Sequence, residues 1–568
     1  MMKMNRTTWY AVAMMMGLVA SAFFAAAQQR ATEGLWYKES IIYSLEVGTF
    51  KDSDGDGIGD FQGLIQKLGY LDSLGIDAIW LAPFNPSPGW DDGYDVTDYY
   101  TVNPKYGTMD DFRQFIAEAK KRKIRVISDV VLNHTSIKHP WYESARQDPQ
   151  SPYRKWYVWA EELPDDADKG MVFPGVQQTT WSYDSLANLY YFHRFYPFQP
   201  DLNYTNPEVQ QKAFDILEFW LRQGMDGYRL DAVPFIIDVP ETGSDKPVRM
   251  MELVPTMRNV MRGVKHDALM LGEANLAPEE NKDYFGEDNS GMQMMFNFYV
   301  NQFLFYALAI QDVRPLAKAM QATKEKPETA QWAYFLRNHD EIDLDRLGKR
   351  RREKVYAQFG PDTSMQLYDR GIRRRLAPML SNPDQLRMAY SLLFALPGTP
   401  VIRYGEEIGM GDDLSLKERL AVRTPMQWSA APHGGFTTGD TAFRKVIDNE
   451  IYGYRRVNVQ RQLADSASLL NHIKRLINIR KVYPQIGSGD FAILNTGSKH
   501  VVAMLYQGGD QALLTVHNFA NKPQEFRLNE KSIAGKPLHD LLLPGRPSTK
   551  GGERMKLPAF GFAWYRIP

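Results

Sequence analysis

The stretch that decides the fold is residues 227–234, which read Gly-Tyr-Arg-Leu-Asp-Ala-Val-Pro. It is a short strand-like run that contains two charged side chains. Alternate side chains of a strand point to opposite faces, so Arg229 and Asp231 share one face while the leucine between them points the other way. The run therefore predicts a strand that carries a cation and a carboxylate together to its carboxyl end.

Seven similar runs, separated by helix-length amphipathic stretches, lie between residues 41 and 407. Strands that alternate with helices predict a parallel sheet, and eight of them predict an α/β fold of the closed (β/α)8 TIM-barrel type. Thr108 followed by Asp111, and Asn206 followed by Pro207, are helix-start signals in the intervening stretches. The predicted strands are 41–50, 76–83, 124–131, 227–233, 268–275, 294–298, 333–340 and 399–407.

Two regions depart from this alternation. The stretch after the third strand is rich in aromatic and turn-forming residues, and a loop of its length predicts a small inserted domain, 133–204. Its aromatic residues fit either a core of its own or a cover over a binding site. From residue 485 onward, short runs separated by Gly, Asn and Pro predict a C-terminal antiparallel β-sandwich, 485–568. The barrel is then assigned to 36–132 and 205–484.

The N-terminal segment differs in kind from the rest of the chain. Lys3 and Arg6 precede an apolar run, 9–24, and alanines at 25–27 provide a small-residue cleavage site. This pattern predicts a signal peptide, 1–27, and a secreted or periplasmic protein that is free of the membrane after cleavage. The alternative is an uncleaved membrane anchor. The chain has no cysteine, so it cannot be stabilised by disulfides.

The charge balance excludes one class of partner. Lysine and arginine total 67, and aspartate and glutamate total 68. This balance gives no electrostatic reason to expect a nucleic acid or an anionic membrane as partner. Two basic clusters, 349–352 and 373–375, are therefore interpreted as solvated helix faces or internal ion pairs.

Charged and polar residues collect where four of the predicted strands end. In a TIM barrel these ends form one mouth, where reactive groups sit. Bringing several charges together there costs on the order of several kcal/mol in repulsion and desolvation, so a shared function explains the cluster better than unrelated ion pairs. The residues are Asp129, Asn133 and His134 at the end of the third strand, Arg229 and Asp231 at the end of the fourth, Glu273 and Asn275 at the end of the fifth, and Asn338, His339, Asp340 and Glu341 at the end of the seventh.

Asp231 and Glu273 end neighbouring strands. Adjacent strands lie about 4.8 Å apart, so the two carboxylates can reach the separation of about 5–5.5 Å that retaining glycosidases use. In such a pair Glu273 must hold a proton, so we expect burial and its neighbours to raise its pKa. Arg229 is expected to lower the pKa of Asp231 and keep it ionised.

Four ordered segments resemble the four sequence regions of the α-amylase family of glycoside hydrolases. They are Asp-Val-Val-Leu-Asn-His (129–134), residues 227–234, Gly-Glu-Ala-Asn (272–275) and Phe-Leu-Arg-Asn-His-Asp-Glu (335–341). The resemblance implies Asp231 as nucleophile, Glu273 as acid/base and Asp340 as the third carboxylate, which distorts and orients the sugar. The implied contacts of the bound sugar are Asp91, Tyr94, His134, Gln199, Arg229, His339 and Arg423.

Within that family, residues 190–203, 371–380, 396–413 and 422–428 are similar to those of trehalose synthases, which interconvert maltose and trehalose. The resemblance implies small α-glucosides such as maltose as substrates. Two segments depart from the group: residues 339–348 read His-Asp-Glu-Ile-Asp-Leu-Asp-Arg-Leu-Gly, and Arg403-Tyr-Gly-Glu-Glu stands where Tyr-Tyr-Gly-Asp-Glu is usual. A hydrolase of short α-glucans and a non-catalytic barrel protein remain alternatives.

Residues 52–60 read Asp-Ser-Asp-Gly-Asp-Gly-Ile-Gly-Asp. Acidic residues at this spacing repel one another without a cation, although no glutamate follows where an EF-hand requires one. The segment resembles the metal loop after the first strand of oligoglucosidase-type members of the family, which implies a structural Ca²⁺; a solvated acidic turn is the alternative. The implied ligands are Asp52, Asp54, Asp56, the Ile58 carbonyl and Asp60, with Asn133 and Asp201 resembling ligands of a second calcium site.

Overall fold

The computed structural model describes residues 35–241, 246–286, 289–488, 490–508, 511–543, 545 and 549–568. The predicted signal peptide, 1–27, lies outside these residues and stays a prediction. Within the described part of the chain, no helix combines the length and the apolar character needed to cross a membrane.

Eight parallel strands close into a barrel in chain order, and the ring is completed where β1 pairs with β8, with Ser44 opposite Arg403. The strands are β1 (Ile42–Leu45), β2 (Ala78–Leu81), β3 (Arg125–Val130), β4 (Gly227–Leu230), β5 (Leu269–Gly272), β6 (Met294–Phe296), β7 (Gln331–Phe335) and β8 (Thr399–Arg403). The prediction of a (β/α)8 barrel is confirmed.

The barrel strands are apolar on both faces because helices cover them from outside. Trp80, Leu271 and Phe335 belong to a core cluster inside the barrel, whereas Tyr228 and Met270 belong to the larger cluster that includes the helices. Parallel sheets covered in this way have strands that read as nearly continuous hydrophobic runs.

The predicted strands overlap the observed ones but extend too far at their carboxyl ends. The fourth predicted strand runs to residue 233, whereas β4 ends at Leu230. The chain turns at Ala232, which has φ of 52° and ψ of 39°, a left-handed conformation that an extended strand cannot contain. Apolar residues continue through the turn, so the sequence pattern does not mark the end of the strand.

Helices surround the barrel, and the predicted helix starts are observed. Thr108 Oγ1 accepts the Asp111 N–H, and the Asp111 carboxylate accepts the Thr108 N–H, which completes a capping box. The longer helices are Phe61–Leu74, Met109–Lys121, Pro140–Gln147, Pro207–Arg222, Leu253–Val264, Phe298–Ile310, Arg314–Ala322, Lys349–Phe359, Pro383–Ala395 and Leu469–Val482. The shorter ones are Val47–Phe50, Val233–Ile237, Asn281–Phe285, Leu376–Leu380, Val459–Ala464 and Gln485–Ser488.

The segment inserted after β3 carries a small antiparallel sheet. Its strands are Trp159–Ala160, Trp181–Asp184 and Leu189–Phe192, with the last in the middle. Trp181 and Phe192 pack in a local core, as one of the two readings of these aromatics expects. The domain limits 36–132, 133–204, 205–484 and 485–568 stay predictions.

An antiparallel sheet follows at the C-terminus. Its strands, in spatial order, are Phe491–Leu494, Val501–Gly508, Gln511–Asn518, Phe562–Ile567, Pro537–Asp540 and Thr549–Lys550; Gln524–Arg527 pairs with Arg554–Leu557 in a separate ribbon. Along the second strand, Ala503 and Leu505 pack with the ribbon, whereas Met504 and Tyr506 join the core shared with the barrel. The period-two alternation thus gives the sheet one face for the ribbon and one for the barrel.

Candidate active site

Three carboxylates meet on one guanidinium group at the carboxyl ends of β3, β4 and β5. Arg229 Nη1 lies 2.6 Å from Asp129 Oδ1 and 2.5 Å from Asp231 Oδ1. Its Nη2 lies 2.7 Å from Glu273 Oε1. Since one planar fork contacts both Asp231 and Glu273, the two carboxylates that the sequence pairs lie close together at a single mouth.

The turn after β4 fixes the orientation of Glu273. Ala232, in its left-handed conformation, directs its N–H to Glu273 Oε2 at 3.1 Å. A non-glycine residue with positive φ is strained, and such strain is concentrated at functional sites. The residue next to Asp231 therefore holds Glu273 by a backbone hydrogen bond.

Asp340, after β7, is held by two arginines and a histidine. Its Oδ1 lies 3.1 Å from Arg419 Nη1 and 3.1 Å from Arg423 Nη2. Its Oδ2 lies 3.2 Å from His339 Nε2. Burial opposes ionisation of this carboxyl, but the two arginines and His339 hold its pKa well below the usual range.

Burial raises the pKa of Glu273 to about 7, against the opposing effect of Arg229. It also raises the pKa of Asp231 to about 6. Arg229 lowers the pKa of Asp231, as expected, but loss of solvation outweighs the nearby cation and the net shift is upward. Both carboxyls thus have a raised pKa, and a retaining pair needs one of them ionised as nucleophile and the other protonated as proton donor.

These carboxylates open into a cavity of ≈ 370 Å³, a volume suited to a small ligand. Of the residues predicted from the sequence, Asp91, Tyr94, His134, Asp231, Glu273 and Asp340 line it. Apolar side chains form another part of the wall: Val172, Phe195, Phe235, Leu276 and Phe298. The inserted segment thus contributes Phe195 to the cavity, whereas its tryptophans at 156, 159 and 181 do not line it.

The other four predicted sugar contacts lie behind the wall and hold residues that line it. Gln199 Nε2 donates to Asp91 Oδ2 at 3.0 Å. His339 Nε2 forms a 2.5 Å hydrogen bond with the Tyr94 hydroxyl. Arg229 and Arg423 are bound to the carboxylates as described above, so the direct contact of these four residues with a sugar stays a prediction.

The sequence alone assigned no individual role to two charged residues of the site, Asp129 and Arg419. Asp129 accepts hydrogen bonds from Tyr94 Oη and Trp80 Nε1 as well as from Arg229. Arg419 binds Glu341 at 2.9 Å in addition to Asp340. Asp129 begins the quoted motif 129–134 and was detectable, but Arg419 lies in a loop without periodic pattern, and only the fold brings it to Asp340.

The basic clusters are engaged within the protein. Arg374 contacts Asp412 at 2.8 Å, and Arg375 contacts Glu406 at 3.2 Å. Arg352 lies 3.8 Å from Asp345. Ion pairing within the protein was one of the two interpretations of these clusters, and the absence of a nucleic-acid partner stays a prediction.

The acidic loop before the helix Phe61–Leu74 brings three carboxylates together. Asp52, Asp54 and Asp60 each place an oxygen within 4.8 Å of the others. The Asp56 carboxylate instead accepts the Ile58 N–H at 2.7 Å and lies outside this group. Oxygen atoms at this spacing fit a hard cation, whose ligands lie at about 2.3–2.6 Å.

Asn133 and Asp201 are buried where the inserted segment leaves and rejoins the barrel. Asp201 Oδ1 accepts the Arg194 N–H at 2.9 Å. Burial raises the pKa of Asp201 to about 7, and a hydrogen bond with Asn133 opposes the rise. The two residues are neighbours, and their role in a second calcium site stays a prediction.

Comparison with known proteins agrees with this geometry. The family described as "Alpha amylase, catalytic domain" matches residues 46–359 and 373–489. The chain is 38% identical over 557 residues to a trehalose synthase/amylase (TreS) of Mycobacterium tuberculosis, covering 96% of this chain and 92% of the relative. It is 38% identical over 551 residues to a trehalose synthase of Pimelobacter sp. (strain R48), covering 94% and 96%.

A solved structure has the same architecture. The trehalulose synthase MutB from Pseudomonas mesoacidophila MX-45 superimposes with a TM-score of 0.77 at 26% sequence identity, covering 94% of this chain and 99% of the other. The similarity therefore extends over the barrel, the insert and the C-terminal sheet together.

Proposed function

Because this chain belongs to the α-amylase family, we propose that it is a retaining enzyme that acts on small α-glucosides and interconverts maltose and trehalose. The observation that carries the proposal is the bridge of Arg229 between Asp231 and Glu273 at the floor of a small cavity. Two relatives at 38% identity over nearly the whole chain bear trehalose synthase names, which supports this substrate pair.

The proposed first step is attack of Asp231 on the anomeric carbon of maltose. The bond from that carbon to the bridging oxygen breaks, and Glu273 gives its proton to that oxygen as glucose leaves. Asp231, which contacts Arg229 at 2.5 Å, suits the nucleophile, and Glu273, whose pKa burial raises to about 7, suits the proton donor. Asp340, held ionised by Arg419 and Arg423, faces the positive charge that develops on the sugar ring.

In the second step the glucose turns and attacks the glucosyl ester through its anomeric hydroxyl. Glu273, now ionised, accepts the proton of that hydroxyl, Asp231 is released, and trehalose forms. Water that entered instead would give glucose, so the ratio of products depends on how well the cavity excludes water. The apolar wall residues Phe195, Phe235 and Phe298 favour retention of a sugar over water.

Incubation of the purified protein with maltose tests the proposal, with trehalose and glucose separated by chromatography. Trehalose as the main product supports isomerisation. Glucose alone assigns the protein to hydrolysis, the activity that the word "amylase" in one relative's name describes. No turnover would leave a non-catalytic barrel and refute the proposal. Asp231→Asn, which keeps the shape of the side chain but removes the nucleophile, is the matched inactive control.

We further propose that the loop 52–60 binds a structural Ca²⁺. Asp52, Asp54 and Asp60 supply oxygens at a suitable spacing, although Asp52 also accepts the Gly55 and Gly57 N–H groups at 2.8 Å, so the loop has internal support of its own. At a calcium concentration about a hundred times the Kd, binding adds about 2.7 kcal/mol to the free energy of unfolding.

Thermal unfolding with EDTA, Ca²⁺ or Mg²⁺ tests this site. The exposed Asp54 is the best position to change, because it accepts the Asp56 N–H, whereas the buried Asp52 and Asp60 each accept more than one backbone N–H. A calcium-dependent rise in Tm that Asp54→Asn removes supports the proposal. Equal Tm values in EDTA and Ca²⁺ would leave a solvated acidic turn.

For localisation, we propose export with cleavage after residue 27. The support is the sequence alone, a basic start, an apolar run and small residues at its end. Expression of the full chain in a bacterial host followed by fractionation and N-terminal sequencing tests it. A new N-terminus at Gln28 in the exported fraction is expected, and an intact N-terminus in the membrane fraction would assign an anchor instead.

A further inference from the structure

A buried ion pair closes the barrel between its first and last strands. Arg403, the last residue of β8, directs Nη1 to Glu46 Oε1 at 2.8 Å and Nη2 to Glu46 Oε2 at 3.1 Å. Glu46 follows directly after β1. The Arg403 side chain is 0% exposed and that of Glu46 is 13% exposed, and the paired fork contact fixes both in position.

Arg403 also reaches the loop that holds the third carboxylate. Its Nη2 donates to the Val422 carbonyl at 3.1 Å. Val422 ends the 3₁₀ turn Glu418–Val422, which contains Arg419, and Arg423 follows at once. As described above, Arg419 and Arg423 are the two arginines bound to Asp340 Oδ1.

We propose that Glu46 and Arg403 are positioning residues for the reaction: they hold the turn 418–422 against the barrel so that Arg419 and Arg423 fix Asp340 beneath the sugar. The inference rests on the proposed function of this site. It assigns a role to Arg403, one of the positions where the sequence departs from the usual trehalose synthase pattern.

Charges of both signs surround this turn, and Glu341 is also bound by Arg370 at 2.9 Å. Arg403, Arg419, Arg423 and Arg444 face Glu46, Asp92, Asp340 and Glu341, with Asp92 bound by Arg423 and Arg444 at 3.3 and 2.9 Å. Burial disfavours ionised Glu46, yet Arg403 and Arg423 hold its pKa below the usual value. Removal of either Glu46 or Arg403 therefore changes the net charge close to Asp340.

Stability alone is a weak explanation for this pair. Desolvation of two buried charges cancels much of their attraction, and apolar residues of similar volume often serve as well. A hydrogen bond from the same guanidinium to a loop that carries active-site arginines is what an orienting role requires. In metal sites, loss of comparable supporting contacts lowers affinity or activity about 10–100-fold.

The experiment measures kcat and KM for maltose, with whichever product forms, in Arg403→Gln, Arg403→Lys and Glu46→Gln. Arg403→Gln should lower kcat about 10–100-fold with far less change in KM. The kcat of Arg403→Lys should lie between that of Arg403→Gln and that of the wild type, because an ammonium group cannot make the fork contact and reach Val422 as well. Arg146→Gln, which breaks the Arg146–Asp184 pair in the inserted segment, is the matched control and should retain kcat.

Two readouts separate positioning from a merely structural role. Glu46→Gln leaves an excess of positive charge near the site, so the basic limb of the kcat profile should move to lower pH. The exchange Glu46→Arg with Arg403→Glu keeps an ion pair but gives position 403 no donor for Val422. Thermal stability should therefore recover while kcat stays low.

A kcat for Arg403→Gln equal to the wild type would overturn the inference, as would recovery of kcat together with stability in the exchanged pair. If Arg403→Gln does not fold, Glu46→Gln and Arg403→Lys decide the question, and unchanged kcat and pH profile in both would equally overturn it. The proposed function fails separately, when the wild-type protein does not turn over maltose; the inference then fails with it.

Discussion

Replacement of Arg229 by methionine tests the electrostatic reasoning about the active site most directly. The guanidinium contacts Asp129, Asp231 and Glu273, and methionine keeps much of the length of the side chain without its charge. The pKa values of Asp231 and Glu273, about 6 and about 7, already include the lowering by this cation. Its removal must raise both.

The magnitude follows from the contact distance. Two unit charges about 4 Å apart interact by about 4 kcal/mol at an effective dielectric constant of about 20. Since about 1.36 kcal/mol corresponds to a tenfold change, the ionisation equilibrium of Asp231 shifts by a factor of about a thousand. The ionised fraction of Asp231 at pH 7 should therefore fall steeply. We expect kcat/KM for maltose at pH 7 to fall about a hundredfold from this effect alone.

The assay is a pH profile of kcat/KM with trehalose and glucose measured separately. Both limbs of the profile should move to higher pH in Arg229→Met, and part of the lost activity should return in alkaline buffer. Breaking a buried ion pair by removing one partner also costs about 3–5 kcal/mol of stability, so urea denaturation should show a large loss. Arg146→Met, remote from the cavity, should lower stability without moving the profile.

An acid limb of the Arg229→Met profile that coincides with that of the wild type would refute the role of Arg229 in the ionisation of Asp231. Asp231 would then owe its ionisation to other groups. A folded variant with wild-type activity at pH 7 would have the same consequence, because the single bridge between the two carboxylates would not matter for the reaction.

Three further predictions address the acid/base, a helix cap and the C-terminal sheet. Glu273→Gln should lower kcat about 10²–10⁴-fold and abolish the basic limb near pH 7 in steady-state assays. Thr108→Ala removes the side-chain cap of Met109–Lys121 and should cost about 0.5–2 kcal/mol in urea denaturation, with kcat unchanged. Trp564→Ala empties a fully buried site whose indole N–H donates to Ser391 at 2.9 Å and should cost about 3–5 kcal/mol, measured in the same way. A loss below 1 kcal/mol for Trp564→Ala would show that the sheet does not stabilise the barrel.

Local patterns in the sequence were sufficient to predict the helices and strands of the barrel. The alternation of short apolar strands with amphipathic helices predicts the barrel, and the capping box at Thr108 is where the sequence places it. Strand ends were less predictable, since β4 stops at Leu230 although apolar residues continue beyond it. Backbone turns such as that at Ala232 depend on contacts with the neighbouring strand, which the local pattern does not contain.

The active site likewise has some features that the sequence determined and others that it did not. The order of motifs along the chain determined that Asp231, Glu273 and Asp340 come to one mouth, because the carboxyl ends of parallel strands in a barrel lie on the same side. The two-residue period of a strand also predicted that Arg229 and Asp231 share a face, and the two side chains are in contact.

Only the tertiary structure decided the balance of charge around those carboxylates. Arg419 reaches Asp340 from a loop 79 residues further along the chain, and Arg403 joins that loop to β1. Burial, which raises the pKa of Asp231 where the adjacent arginine alone would lower it, is likewise a property of the folded protein. Desolvation and ion pairing depend on distances between groups far apart in the chain, and those distances exist only once the barrel has closed.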